Sequence, residues 1–306
     1  MEMEYTKDFS VIIPVWRGAI KYLPKLFDSI PKKEGIEIIV VDNSKEPVNR
    51  DEILSDREIT FLHSAPERHA GGSRNDGMAA AQGKWLLFAD ADDYFTDDAF
   101  DIFYSFLSTD AEIVYTGMGG VYEDTGEPAD RGEYYAKLVH RYCAGEVSDL
   151  ALRLSFSSPC CKMVSHDLVK RENLRYDEVR ASNDVFFSLT SGFYAKKIAA
   201  KDKITYIATV NRGSLTQRLD YDVTKARLIV AMRCNHFKKA HGFSKRQDSV
   251  MKYLYESRRY GFAKMMEFFG LLIKYRQNPF VGWKNWTNTI KRVKQKNEQE
   301  TQYIEY

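Results

Sequence analysis

The stretch that most constrains this chain is Gly83-Lys84-Trp85-Leu86-Leu87-Phe88-Ala89-Asp90-Ala91-Asp92-Asp93. Its glycine ends a helical segment. The apolar run that follows is too short for an ordinary helix and, bounded by a turn signal, reads as a strand buried on both faces. It stops in three carboxylates within four residues. A buried strand that ends in acid places those side chains at the carboxyl edge of a sheet, where open α/β sheets take their ligands. Clustered carboxylates repel, so they are stable together only in water or around a cation. Hard oxygen ligands of this kind suit Mg2+ or Mn2+, and Mg2+ commonly shares itself with substrate phosphates. Taken alone, the cluster reads equally as an acidic turn capping the helix that begins near Thr96.

The flanking sequence supplies the context. Phe9-Ser10-Val11-Ile12-Ile13-Pro14-Val15 is a buried first strand, with Pro14 where the ladder ends. Leu23, Leu26, Phe27 and Ile30 recur at helical spacing. Ile36 to Val41 is a second buried strand, closed by the polar Asp42-Asn43-Ser44. A weaker helix is expected over residues 49–56 and a short strand over 59–63. Strand–helix–strand order of this kind predicts a mainly parallel sheet with right-handed crossovers. Gly71-Gly72-Ser73-Arg74-Asn75-Asp76-Gly77 then reads as a loop leading into a helix at Met78. Such a loop lets backbone approach a ligand closely and offers helix N–H groups to an anion, and Arg74 adds a planar cation suited to phosphate. A plain loop and cap fits the same residues.

Further on, helix is expected over 97–107 and strand over 111–115. Residues 117–132 read as a hairpin or mobile loop, 134–154 as helix, and 157–164 as a break and short strand. A short helix at 166–172 and an extended 174–178 precede a helix that starts near Ala181. Ser182 or Asn183 would cap it, with Asp184 in its first turn as a carboxylate facing the helix dipole. A strand at 204–208 follows. From Asp222 the chain is expected to be helical, over 223–240, 249–275 and 283–294.

At this point the residues resemble a family, the family 2 glycosyltransferases, inverting nucleotide-sugar enzymes with an A-type fold. Residues 9–15 look like their first strand and Val41-Asp42-Asn43-Ser44 like their nucleoside-reading turn. Ser73 to Gly77 followed by Gly83-Lys84-Trp85 is similar to their middle block, and Ala89 to Asp93 to their metal-binding DxD block. Pro159 to Lys162, Arg175 to Glu178, Asn183-Asp184 and Arg212 to Thr216 are similar to acceptor-side elements. The resemblance implies that Pro14 and Val15 flank the nucleobase and that Asp42 and Asn43 sit at the uracil end. It implies Arg74 near the nucleotide, Asp90 and Ala91 in the nucleotide site, Asp92 on a Mn2+ or Mg2+ ion, and Asp184 as general base. Two departures stand out: Asn43 where many members carry a second Asp, and Asn183 where a Glu usually precedes the base. The implied activity is transfer of a sugar from a nucleotide-sugar, a UDP-sugar above all, to a saccharide or lipid-linked acceptor in surface polysaccharide synthesis.

Two other functions use similar architecture. Nucleotidyl transfer to a sugar phosphate needs a glycine-rich loop after the first strand, and Pro14-Val15-Trp16-Arg17-Gly18 has a single glycine. A non-catalytic nucleotide-sugar module would not need both Asp92 and Asp184.

Charge divides the chain. Between Lys225 and Lys296 stand 18 Lys and Arg against three acids, in a protein whose net charge is only +2. We therefore expect residues 1–219 to form the catalytic domain, with a nucleotide-sugar half over 1–116 and an acceptor half over 117–219. Residues 220–306 are expected to be a basic helical extension, suited to peripheral membrane contact. The acidic front and the lack of any nucleic-acid motif exclude nucleic-acid binding. Four cysteines without CxxC spacing point to neither zinc nor a redox pair. With no signal-like start and no stretch near 20 apolar residues, a cytoplasmic protein at the inner face of the membrane is expected.

Overall fold

The computed structural model describes residues 5–210 and 220–281. The chain divides into two compact units, residues 1–214 and 215–306. The first contains eight strands: β1 Lys7–Val15, β2 Ile36–Asp42, β3 Thr60–His63, β4 Gly83–Phe88, β5 Tyr94–Phe95, β6 Ile113–Tyr122, β7 Lys162–Ser165 and β8 Ile198–Val210. They form one sheet in the order β3-β2-β1-β4-β7-β6-β8-β5. The β3-β2-β1-β4 half is parallel, as the alternating strand–helix order requires. β7 runs antiparallel to both β4 and β6 and so joins the nucleotide half to the rest. β6 and β8 are again parallel, and β5 is antiparallel to β8. Pro14 is tolerated because the β1–β4 ladder ends at Ile12↔Phe88, two residues earlier, while β2 pairs on to Val15↔Asp42.

Among the described residues seven α-helices belong to this unit: α1 Leu23–Asp28, α2 His69–Ala80, α3 Ala99–Tyr104, α4 Glu133–Cys143, α5 Asp149–Ser155, α6 His166–Arg171 and α7 Val185–Tyr194. Several expectations change. Over 49–56 only a short 3-10 turn forms, Arg50–Glu52. The long helix expected over 134–154 is two helices, separated at Gly145, whose φ is +74°. Over 117–132 the hairpin alternative holds: β6 continues to Tyr122 and turns back at Glu127, with Val121 bridging to Pro128.

The largest change is at the glycines. Gly71, Gly72 and Gly77 lie inside α2, not in a loop before it. A Cβ at Gly71 would stand 2.0 Å from the Asp177 carbonyl oxygen, and one at Gly77 2.5 Å from Ile12 Cγ2. Gly71 and Gly77 let the helix pack closely on the 174–178 segment and on β1, and Gly72 makes room for the Arg68 side chain. They do not form a phosphate cradle.

In the second unit α8 spans Tyr221–Ala240, α9 Met251–Ser257 and α10 Phe262–Lys274. The expected single helix over 249–275 breaks at Gly261, where φ is +88°. Leu228, Met232, Val250, Tyr253, Leu254, Phe268 and Leu272 form this unit's own core. The expected helix over 283–294, the Arg212 to Thr216 element and the 219/220 boundary lie outside the described residues. All four cysteines are free.

Candidate active site

The carboxyl ends of β1, β2 and β4 meet at one edge. There Asp42 is buried and engaged within its own turn. It accepts from the Ser44 N–H (3.1 Å), the Ser44 hydroxyl and the Val48 N–H (2.9 Å), and lies 3.2 Å from His63 Nδ1. Its carboxylate shapes the turn. Asn43 is anchored likewise: its N–H donates to the Val15 carbonyl (3.0 Å), and its amide, oriented to satisfy both partners, donates to that carbonyl and accepts from the Ala70 N–H. Pro14 and Val15 are buried at the end of β1.

The three acids after β4 have separate environments. Asp93 is 2% exposed and points inward, accepting from the Tyr206 hydroxyl (2.9 Å) and the Thr209 N–H (2.7 Å). Burial, with Asp92 and Asp90 alongside, drives its pKa far above the carboxylate range. Tyr206 also accepts from the Asp90 N–H (2.9 Å), so one phenol fixes both ends of the acidic turn. Asp90 is half-buried and pairs with Arg74 at 2.5 Å. Ala91 is buried between the acids. Asp92 alone has a carboxylate to which no side chain donates among the described residues. Burial and then Asp90 raise its pKa, while Arg131 opposes them.

Such a donor set fits a divalent ion only as an open site. Among the described residues no three His, Cys, Asp or Glu side chains converge to cage an ion. An ion of the Mg2+ kind takes one or two carboxylates and completes its shell from water and substrate phosphate. Asp92 and the oxygen of Asp90 not facing Arg74 meet that requirement.

Arg74 is the centre of the arrangement. The residue is 4% exposed, and its guanidinium spans two segments far apart in sequence. One nitrogen donates to Asp90 and the other to Asn183 Oδ1 at 2.8 Å. Burial opposes its charge, but Asp90 foremost among its neighbours outweighs burial and holds the pKa above the ordinary arginine value. Next along α2, Asn75 exchanges hydrogen bonds with the backbone of Tyr176 (3.1 and 2.9 Å), whose ring stacks on Phe187 of α7 at 4.0 Å.

Asp184 is itself the N-cap of α7, where the sequence suggests Ser182 or Asn183, and Ser182 takes a left-handed φ of +58°. Its side chain makes no capping hydrogen bond, though its carboxylate stands at the helix N-terminus where the dipole favours its charge. Burial raises its pKa, against the attraction of Arg74 and Lys162. Lys162, 1% exposed, donates to Ser188 Oγ at 3.1 Å, one turn after Asp184 on α7. Burial lowers the Lys162 pKa to about 8.

The structure thus joins Arg74, Asp90 and the Asn183-Asp184 pair directly. Asp42 and Asn43 stand in the neighbouring turn, which their own hydrogen bonds shape. Sequence reading missed Tyr206 and Arg131 as site residues, and placed Lys162 in an acceptor-side element without giving it a role. Arg131 donates to the Thr209 carbonyl (2.9 Å) and stands in the field of all three acids, yet its segment carries only turn residues and charge. A tyrosine within an aliphatic strand is the sole local signal for Tyr206. A separate cavity of 410 Å3, lined by Asp28, Ser29, Tyr94, Phe95, Thr96 and Asp97, contains none of these groups. Its lining offers no cation to a diphosphate.

Lys162→Met is expected to stabilise the fold at neutral pH, by up to about 3 kcal/mol. Folded Lys162 loses its proton near pH 8 and the unfolded residue only near 10.5. The parent therefore gains stability as pH rises between these values, and its deficit against Lys162→Met should shrink over that window. Urea unfolding of both proteins from pH 6.5 to 9.5 checks this. A gap of the opposite sign, or one that widens with pH, would contradict a buried ammonium.

The family model for glycosyl transferase family 2 matches residues 10–172. Poly(ribitol-phosphate) beta-N-acetylglucosaminyltransferase TarS of Staphylococcus aureus (strain MW2) is 25% identical over 216 residues, covering 67% of this chain and 36% of TarS. Glycosyltransferase GlyG of Streptococcus pneumoniae serotype 4 is 26% identical over 240 residues, covering 72% of this chain and 76% of GlyG. The crystal structure of S. aureus TarS 1-349 in complex with UDP-GlcNAc shares the fold, with a TM-score of 0.57 at 21% identity over 92% of this chain and 79% of that one. The chain therefore spans about a third of the full length of TarS.

Proposed function

The chain belongs to glycosyl transferase family 2 and has its A-type fold, and from that premise we propose that it moves a sugar from a UDP-sugar to a hydroxyl of a saccharide or lipid-linked saccharide, with inversion, in surface polysaccharide synthesis. The observation that carries this reading is the Arg74 bridge between Asp90 and Asn183. It ties the acidic turn of the donor side to the residue beside Asp184, so a diphosphate and an acceptor hydroxyl would share one site. The relatives support the donor class: TarS is named as an N-acetylglucosaminyltransferase and has been solved with UDP-GlcNAc.

The residues divide the work. The turn held by Asp42 and Asn43 would seat the nucleobase beside Pro14 and Val15. Asp92, with the outer oxygen of Asp90, would hold a Mg2+ or Mn2+ ion, whose contribution is Lewis-acid neutralisation of the leaving diphosphate. Arg74 fixes Asp90 for that role and keeps Asp184 in a positive field. Asp184 takes the proton of the acceptor hydroxyl as that oxygen bonds to the anomeric carbon and the bond from this carbon to the diphosphate oxygen breaks. One in-line displacement inverts the anomeric centre.

Incubation with a panel of UDP-sugars, Mn2+ and saccharide or polyol-phosphate acceptors tests the proposal. UDP release that depends on both donor and acceptor is expected. Pyrophosphate release on a parallel incubation with UTP and sugar 1-phosphates would instead indicate nucleotidyl transfer, and UDP binding without turnover under any pairing a binding module.

A further inference from the structure

Helix α10 packs into its own unit through Phe268 and Leu272. It carries a second apolar stripe that this core does not use: Phe262, Met266, Phe269 and Ile273 are 75%, 49%, 41% and 79% exposed. Their spacing of four, three and four residues keeps them within about 60° of one another around the helix, at 3.6 residues per turn. Four large apolar side chains in one exposed line are more than the scattered surface hydrophobics of an ordinary protein and mark an interaction face.

Charge selects the partner. Exposed Arg258 and Arg259 stand just before the stripe and exposed Lys274 and Arg276 just after it. The single acid of α10, Glu267, is engaged by Lys225 (2.6 Å) and Lys264 (3.5 Å). Over residues 220–281 there are 13 Lys and Arg against five Asp and Glu. A second copy is a poor occupant. Parallel pairing would set Arg258 and Arg259 against themselves, and antiparallel pairing would set them against Lys274 and Arg276, so either brings like charges together. A neutral apolar surface would use the stripe but gain nothing from the basic residues at its ends. An anionic lipid surface meets both features, because acyl chains accept the stripe and headgroups neutralise its basic ends.

We propose that α10 is an interfacial helix that holds this protein on anionic membrane through Phe262, Met266, Phe269 and Ile273, flanked by Arg258, Arg259, Lys274 and Arg276. No helix among the described residues is long and apolar enough to cross a membrane, so the contact is peripheral.

The test is co-sedimentation of the full chain with vesicles of phosphatidylcholine alone and of phosphatidylcholine with one-quarter phosphatidylglycerol, at low and at 0.5 M salt. Binding to the anionic vesicles is expected to be at least ~10-fold tighter than to the neutral ones and to weaken in high salt. The double variant Phe262→Gln/Ile273→Gln should lose ~10-fold or more in affinity with an unchanged melting temperature, since both side chains are on the surface. The proposal is overturned if the parent ignores both vesicles, or if the variant binds as the parent does. It is also overturned if the parent is a dimer that the variant splits without vesicle binding, or if the variant melts lower with no change in vesicle binding. The last two outcomes would assign the stripe to a second copy or to another segment of this chain.

Discussion

Asp184→Asn is expected to lower turnover by roughly 10²–10⁴ at saturating donor, the usual contribution of a positioned base, and to leave UDP–Mn2+ affinity unchanged. The amide is nearly isosteric, and the parent side chain makes no capping hydrogen bond that folding would lose. Its effect should therefore fall on the proton transfer. Burial places the Asp184 pKa above the ordinary aspartate range. The base works only when ionised, so the acid limb of the turnover profile should lie above that range. Lys162 pulls the Asp184 pKa down, so Lys162→Met should move that limb to higher pH. The measurement is turnover of folded Asp184→Asn with saturating donor, alongside calorimetry with UDP and Mn2+. Activity within a few-fold of the parent would remove Asp184 from the mechanism.

Asp92→Asn is expected to fail at binding instead. Asp93 is committed to Tyr206 and Thr209, and one oxygen of Asp90 to Arg74. Asp92 is the acid with both oxygens left for a cation, and the outer oxygen of Asp90 alone would hold an ion less tightly. Metal-dependent UDP affinity should fall by at least ~10-fold, because the phosphates lose their counter-charge, and transfer should fall with it. Metal-independent UDP binding should persist, since the turn shaped by Asp42 is untouched. Titration of UDP with and without Mn2+ into both proteins decides the matter. Equal metal enhancement in the variant would move the ion elsewhere.

The two variants separate the two halves of a site that are legible in the sequence to different degrees. The buried runs of β1, β2 and β4 show in the sequence because a strand covered on both faces needs consecutive apolar residues. The end of the β4 run places Asp90 to Asp93 at the carboxyl edge for the same reason. Arg74 is visible as a cation near that edge, and Asp184 as an acid at a helix start. The glycines of α2 mislead because close packing and a flexible loop call for the same residue. Only contact with Ile12 and Asp177 shows that packing is the cause.

The roles of the acids were decided by tertiary structure. Asp90, Asp92 and Asp93 are chemically alike, and nothing within a few residues distinguishes them. Tyr206 and Thr209, more than a hundred residues later, turn Asp93 inward, while no described side chain donates to Asp92. Arg74 becomes the joint of the site only when α2 brings it beside Asn183. Local pattern records which residues must leave water, because burial follows the period of the strand or helix. The partner of a buried charge depends on which distant segments the fold closes around it, and that information lies in no local stretch of the chain.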